Sequence, residues 1–113
     1  MVGGLGDDTY IVESAGDVVT EAVSSGTDTV QSGISYTLTS NVENLILSGT
    51  GSLNGTGNTL DNVITGNSVA NSLLGYDGND TIDGALGIDS MTGGKGDDAL
   101  SRCVLQDEQV FSL

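Results

Sequence analysis

The sequence predicts an all-β chain wound as a parallel β-roll, a right-handed solenoid of nine-residue units. Glycine recurs in a nine-residue phase, and short Val, Ile and Leu runs of strand type lie between the glycines. No stretch shows helical periodicity with capping residues. Composition points the same way. Eighteen glycines and no proline in 113 residues fit many tight turns, and 4% aromatic residues without Trp leave no bulky anchors for a conventional core.

From Gly57 onward five consecutive units begin at Gly57, Gly66, Gly75, Gly84 and Gly93. Position six reads Asn62, Asn71, Asp80, Asp89, Asp98, and position eight reads Ile64, Leu73, Ile82, Met91, Leu100. Upstream, Asn44 and Ile46 are expected at positions six and eight, followed by a broken unit with Leu53 and Gly55 there. Gly3 to Tyr10 forms another good unit, whose Asp8 spacing is repeated at Asp17 and Val19. Residues 21–43 lose the strict period but keep the strand-type runs Asp28-Thr29-Val30 and Ser35-Tyr36-Thr37-Leu38. The motif at 3–8 returns at 93–98, ninety residues later, as in one period of a longer tandem array. Three segments are expected: a degenerate β-rich part at 1–56 opening on one good unit, a regular roll at 57–101, and a non-repeat tail at 102–113.

A unit that is half turn and half strand gives two units per revolution, so units n and n+2 stack their turns. Position eight points inward and forms the core. Position six forms a ladder along each side, with Asn44, Asn62, Asp80 and Asp98 on one side and Leu53, Asn71 and Asp89 on the other. Glycines at positions one, two and four permit positive φ and leave carbonyls exposed.

The net charge of −14, with two basic residues, disfavours nucleic acid and anionic polysaccharide and attracts divalent cations. The absence of His removes the commonest transition-metal ligand and the commonest general base. Calcium takes six to eight hard oxygen ligands, which two stacked turns can supply from carbonyls and position-six carboxylates. The best site is expected between the turns Gly75–Asp80 and Gly93–Asp98, using Asp80, Asp98, Gly75, Gly78, Gly93 and Gly96, with Asp77 among the candidates. Asn71 with Asp89, and Asn62 with Asp80, would form mixed sites with one carboxylate each, while upstream Asn residues would stack as a neutral amide ladder. Asp8 is a ligand candidate in the first unit. Asp7 and Asp97 are expected to point outward, and Asp61, Glu13, Glu21 and Glu43 to lie on the surface.

The run Gly75 to Asp83 and the Gly-Gly-x-Gly-x-Asp motifs at 3–8 and 93–98 resemble the RTX (repeats-in-toxin, haemolysin-type) calcium-binding nonapeptide. Residues 8–47, including Val42-Glu43-Asn44-Leu45, are similar to the degenerate linking segments between nonapeptide blocks of large bacterial exoproteins. The pattern departs at Ala85, where the motif's second Gly is missing, and at Asn62 and Asn71. The resemblance implies Ca²⁺ as the bound ion, secretion through a type I channel, and folding on meeting calcium outside the cell. Asp107 to Leu113, acidic then apolar, is similar to the uncleaved C-terminal signals of that route.

The function expected is therefore a calcium-binding structural or folding module of a larger secreted parent protein. The alternative is a carbohydrate- or surface-binding module of an extracellular enzyme or adhesin. An ice-binding face would need a regular Thr ladder, and position seven is irregular (Val63, Ser72, Thr81, Ser90, Ala99). No enzyme activity is expected, because no base accompanies the Ser and Thr residues. The lone Cys103 forms no internal disulfide. No apolar run is long enough for a membrane span, and the first residues lack the basic and apolar regions of a cleaved signal. The opening unit has no neighbour before it, so Asp8 is expected to face water or to complete a site head-to-tail with another molecule.

Overall fold

The computed structural model describes residues 6–14, 16–21, 26–85, 87 and 89–101. The tail at 102–113, with Cys103 and the signal-like residues, and the glycines of the first motif at 3 and 4, lie outside them.

Ten short strands and no helix make up the described chain. They are β1 (Thr9–Val12), β2 (Thr29–Ser32), β3 (Tyr36–Thr37), β4 (Asn44–Leu47), β5 (Asn54–Thr56), β6 (Val63–Thr65), β7 (Ser72–Leu74), β8 (Thr81–Asp83), β9 (Ser90–Thr92) and β10 (Ala99–Ser101). The consecutive strands β1 and β2 pair in parallel, and from β2 onward strands two apart in sequence do so. One sheet has the order β1-β2-β4-β6-β8-β10 and the other β3-β5-β7-β9. The chain is thus a parallel β-roll, two units per coil, as the nonapeptide phase requires. Strands on either side of residue 56 share both sheets.

The inward residues follow the period-two alternation of strands. Ile64, Leu73 and Ile82 at position eight are fully buried, joined by Tyr10, Val12, Val30, Leu45 and Leu47 in one core. Each such aliphatic side chain contributes about 1.5–3 kcal/mol of burial. Met91 and Leu100, in the outermost strands at that end of the two sheets, pack against the core half-buried.

Coil length decides the register. Val63 pairs with Thr81, and Thr81 with Ala99, steps of 18 residues. Asn44, however, pairs with Val63, a step of 19. This corrects the expected upstream frame: Glu43, not Asn44, holds position six, and Leu45, not Ile46, points inward. Leu45 is fully buried while Ile46 is 39% exposed. Counting back by a fixed eighteen hides the extra residue, which falls between Glu43 and Leu53.

The unit read as broken keeps the frame. Gly55 pairs with Leu73 at the inward position. A Cβ there would lie 3.0 Å from Leu45 Cδ2 and 3.2 Å from Leu73 Cδ2. Neighbouring leucines fill the volume that a side chain at residue 55 would need.

The irregular region is also in frame. Thr9 pairs with Thr29 and Thr29 with Asn44, through coils of 20 and 15 residues. Gly26-Thr27-Asp28-Thr29-Val30 repeats the pattern of Gly6-Asp7-Asp8-Thr9-Tyr10, with Gly6 and Gly26 both at φ near +100° (95° and 103°).

Candidate metal centre

The turns stack into a continuous position-six ladder. Along the larger sheet it runs Asp8, Asp28, Glu43, Asn62, Asp80, Asp98. The backbone N–H of each donor donates to a side-chain oxygen of the next coil: Asp8 to Asp28 Oδ1 at 2.9 Å, Asp28 to Glu43 Oε1 at 2.8 Å, Asn62 to Asp80 Oδ1 and Asp80 to Asp98 Oδ1, both at 2.7 Å. Along the smaller sheet the Asn71 N–H donates to Asp89 Oδ1 at 2.7 Å. Position five forms a second ladder of opposite sense, in which Asp7, Asp61 and Asn79 side chains accept from Thr27, Asn79 and Asp97 N–H groups of the coil after them. Asp7, Asp61 and Asp97 are exposed, as expected.

The ladder corrects three readings. Glu43 is half-buried in the ladder rather than on the surface. Glu21 is only 7% exposed and accepts a hydrogen bond from the Tyr10 hydroxyl. Asp8 does not face water: it is half-buried and stacked on Asp28 of its own chain. Asp28, fully buried, lies 20 residues after Asp8 and so falls outside a constant nine-residue spacing. The repeated Gly-x-Asp-x-apolar pattern was the available signal.

Two kinds of turn then separate. In the turn 57–62 the Asn58 amide donates to the carbonyls of Thr39 and Val42, both at 2.8 Å. In the turn 66–71 the Asn67 amide donates to the carbonyls of Gly49 and Gly51, both at 2.9 Å. Asn62 and Asn71 add amide bonds to the carbonyls of Glu43 and Leu53, each at 3.0 Å. The Asn side chains thus donate to backbone carbonyls of the preceding coil, and Asn62 also donates to Asn58 Oδ1 within its own turn at 3.1 Å, so the neutral amide ladder runs from side chain to backbone between coils. A neutral NH₂ group sits where the preceding turn gathers its carbonyls.

The turns beginning at Gly75, Gly84 and Gly93 have no Asn at position two. They place Tyr76, Ala85 and Gly94 there with positive φ (76°, 61° and 83°) and Gly78, Gly87 and Gly96 at position four likewise (92°, 94° and 105°). For Tyr76 and Ala85 this backbone costs about 1–2 kcal/mol each, so the surrounding structure must hold it.

Asp80 is 1% exposed, and its Oδ2 has no hydrogen-bond partner. Burial, and then the charges of Asp98, Asp61 and Asp77, push its carboxyl up to about 6, against the lowering effect of the Asn62 N–H. Burial also raises Asp89 and Asp28. A Cβ on Gly75 would lie 2.5 Å from Asp80 Oδ2 and 2.8 Å from the Gly93 carbonyl oxygen. On Gly93 it would run into Asp98 Oδ2, and on Gly84 into Asp89 Oδ2. The position-one glycines therefore keep a cradle open beside buried carboxylate and carbonyl oxygens. Hard oxygen donors of this kind, without His or Cys, suit calcium. The side chain of Asp77 is exposed.

This is a β-roll whose aspartate turns are built to meet a hard cation. Residues 56–91 and 75–101 match the model of the RTX calcium-binding nonapeptide repeat, so the stretch 56–101 belongs to that repeat family and the ion of its turns is calcium. The chain is 44% identical over 64 residues to the endo-1,3-1,4-beta-glycanase ExsH of Rhizobium meliloti (strain 1021), covering 57% of this chain and 14% of that protein. It is 40% identical over 65 residues to the endo-1,3-1,4-beta-glycanase EglC of the same organism, covering 58% of this chain and 14% of the relative. The aligned region therefore spans about one seventh of either relative. No solved structure matches the chain.

Proposed function

We propose that the chain is a calcium-dependent folding module of a larger secreted protein, with its strongest nonapeptide site between the turns Gly75–Asp80 and Gly93–Asp98. The observation that supports this reading most is the buried, unpartnered Asp80 Oδ2 beside the open Gly75 cradle. Without an ion the stacked carboxylates oppose folding. With one they tie successive coils together. Asp89 serves the other side of the roll. Asn62 and Asn71 contribute at most side-chain oxygens to mixed sites, since their amides are spent on carbonyls. In this reading residues 1–56 are a degenerate β-rich segment opening on one good unit, residues 57–101 are the regular roll, residues 102–113 are a non-repeat tail in sequence, and secretion follows a type I route. The module performs no chemistry of its own; catalysis in the glycanase relatives would lie in the other six sevenths of their length.

Calorimetric titration with Ca²⁺, read beside far-UV circular dichroism, tests the proposal. Affinity is expected on the order of 10⁻⁴–10⁻³ M, as for extracellular modules. At about a hundredfold excess over Kd each site adds about 2.7 kcal/mol, which raises Tm by roughly 10 °C or more for a domain of this size. Dichroism and Tm that are the same in chelator and in saturating calcium would overturn it.

One observation favours a second reading, a glycan-binding surface. Tyr76 is 54% exposed at the edge of a shallow groove that also involves Thr37, Ser40, Asn58 and Leu60, and aromatic faces suit sugar rings. Loss of binding to a mixed-linkage β-glucan on Tyr76→Ala would support it, and no binding by the unmodified protein would dismiss it. Calcium-dependent self-association through the end strands is a further proposal, checked by light scattering at high concentration.

A further inference from the structure

We propose a second kind of calcium site, outside the regular nonapeptide block at 57–101, formed by the side chains of Asp8, Glu21 and Asp28. One carboxylate oxygen from each lies within 4.8 Å of the other two. Two oxygens bound to one calcium at about 2.4 Å are at most about 4.8 Å apart, so a single ion can reach all three.

Burial supplies the second observation. Asp28 is 0% and Glu21 7% exposed. Glu21 Oε1, Asp28 Oδ2 and Asp8 Oδ2 have no hydrogen-bond partner, although the other oxygens of Glu21 and Asp28 are engaged by the Tyr10 hydroxyl and the Asp8 N–H. No basic side chain nearby in the sequence offers a counter-charge, because the first basic residue is Lys95. Three carboxylates that each turn a buried, unpartnered oxygen to the same place are costly, and a divalent hard cation removes that cost. Asp8 and Asp28 come from stacked turns, but Glu21 comes from the irregular segment between them. The ion therefore pins the 20-residue coil between β1 and β2, which is longer than the regular coil of 18. Tyr10, buried in the core, holds the Glu21 carboxylate in place.

The test compares Glu21→Gln with Asp80→Asn in the full chain. Gln keeps an acceptor for Tyr10 but loses the charge. Calorimetry with Ca²⁺ is expected to show one ion fewer per chain for Glu21→Gln, with the ions lost on Asp80→Asn still bound. A count unchanged by Glu21→Gln but lowered by Asp80→Asn overturns this site and leaves the nonapeptide reading standing. The reverse result supports this site and removes the other. Should Glu21→Gln not fold, Tb³⁺ replaces calcium as the probe and Tyr10→Phe as the variant, which spares every ligand. Tyrosine-sensitised terbium emission should then fall with the number of bound ions unchanged, whereas undiminished emission excludes an ion beside Tyr10.

Discussion

The turns at 57–62 and 66–71 and the turns at 75–80 and 93–98 occupy equivalent places in one roll, yet they satisfy their carbonyls by different means. In the first pair an Asn at position two reaches back with its amide and donates twice to the coil before it. In the second pair that position holds Tyr76 or Gly94 in a left-handed conformation, and the position-six residue is a buried carboxylate. An amide proton and a metal ion do the same work of meeting carbonyl oxygens. The amide is built in. The ion must be present in the medium, so on the proposed reading calcium should act mainly on the second pair.

Breaking the built-in version should have the largest effect. Asn58→Ala removes the amide donor of the Thr39 carbonyl and leaves the Val42 carbonyl only the longer bond from Asn62 at 3.3 Å, and is expected to cost about 1–3 kcal/mol. The loss should be equal with and without calcium, as measured by urea unfolding in each condition. A loss that calcium abolishes would mean that an ion can take the amide's place.

The next largest effect should change sign with calcium. Asp98→Asn retains an acceptor for the Asp80 N–H but removes a charge that disfavours ionised Asp80. In chelator the variant should be more stable than the parent, and in saturating calcium less stable, with Tm as the readout. Asp61→Asn, at an exposed position-five residue, should shift Tm little in either condition. Equal responses from the two variants would place the repeat phase wrongly.

Acidity should divide the two regions in the same way. Asp80 titrates near 6 in the folded protein and near 3.8 when unfolded. Because the native state binds the proton more tightly, calcium-free stability should rise as pH falls from 7 through 6 toward 4. Calcium binding should weaken over the same interval, since protons compete for the carboxylate. Paired melting curves at pH 7 and pH 5, with and without calcium, read both signs.

The smallest effect expected is a gain. Ala85→Gly relieves a left-handed alanine at 61° and should add about 0.5–1 kcal/mol after the extra entropy of the unfolded glycine is subtracted. A denaturation midpoint that does not rise would show that the strain at residue 85 is already compensated locally.

Where the period is strict the structure was legible in advance. From Leu53 to Asp98 every position-six residue lies nine residues from the last, and the strands, the buried Ile64, Leu73 and Ile82, and the carboxylate ladder all follow from counting. Upstream, coils of 20, 15 and 19 residues replace the coil of 18. Asn44 was misplaced by a single residue, and in a strand one residue turns every side chain to the opposite face. Asp28 was in plain view as Gly-x-Asp-x-Val. Glu21 was not, because no local pattern marks a carboxylate whose neighbours arrive from the next coil.

The opposed ladders at positions five and six have a consequence for how the roll is assembled. The position-six N–H groups of Asp8, Asp28, Asn62 and Asp80 donate forward to a side chain of the following coil, and position-five side chains accept from that same coil. A finished coil is therefore a template presenting donors and acceptors in register, and an incoming coil is copied onto it as a layer is laid on a growing crystal face. Every such step closes a loop of about the same small size, so growth is fast once a first layer exists. The slow event is making that first layer. A fault in one turn halts the front there and leaves the layers already laid intact.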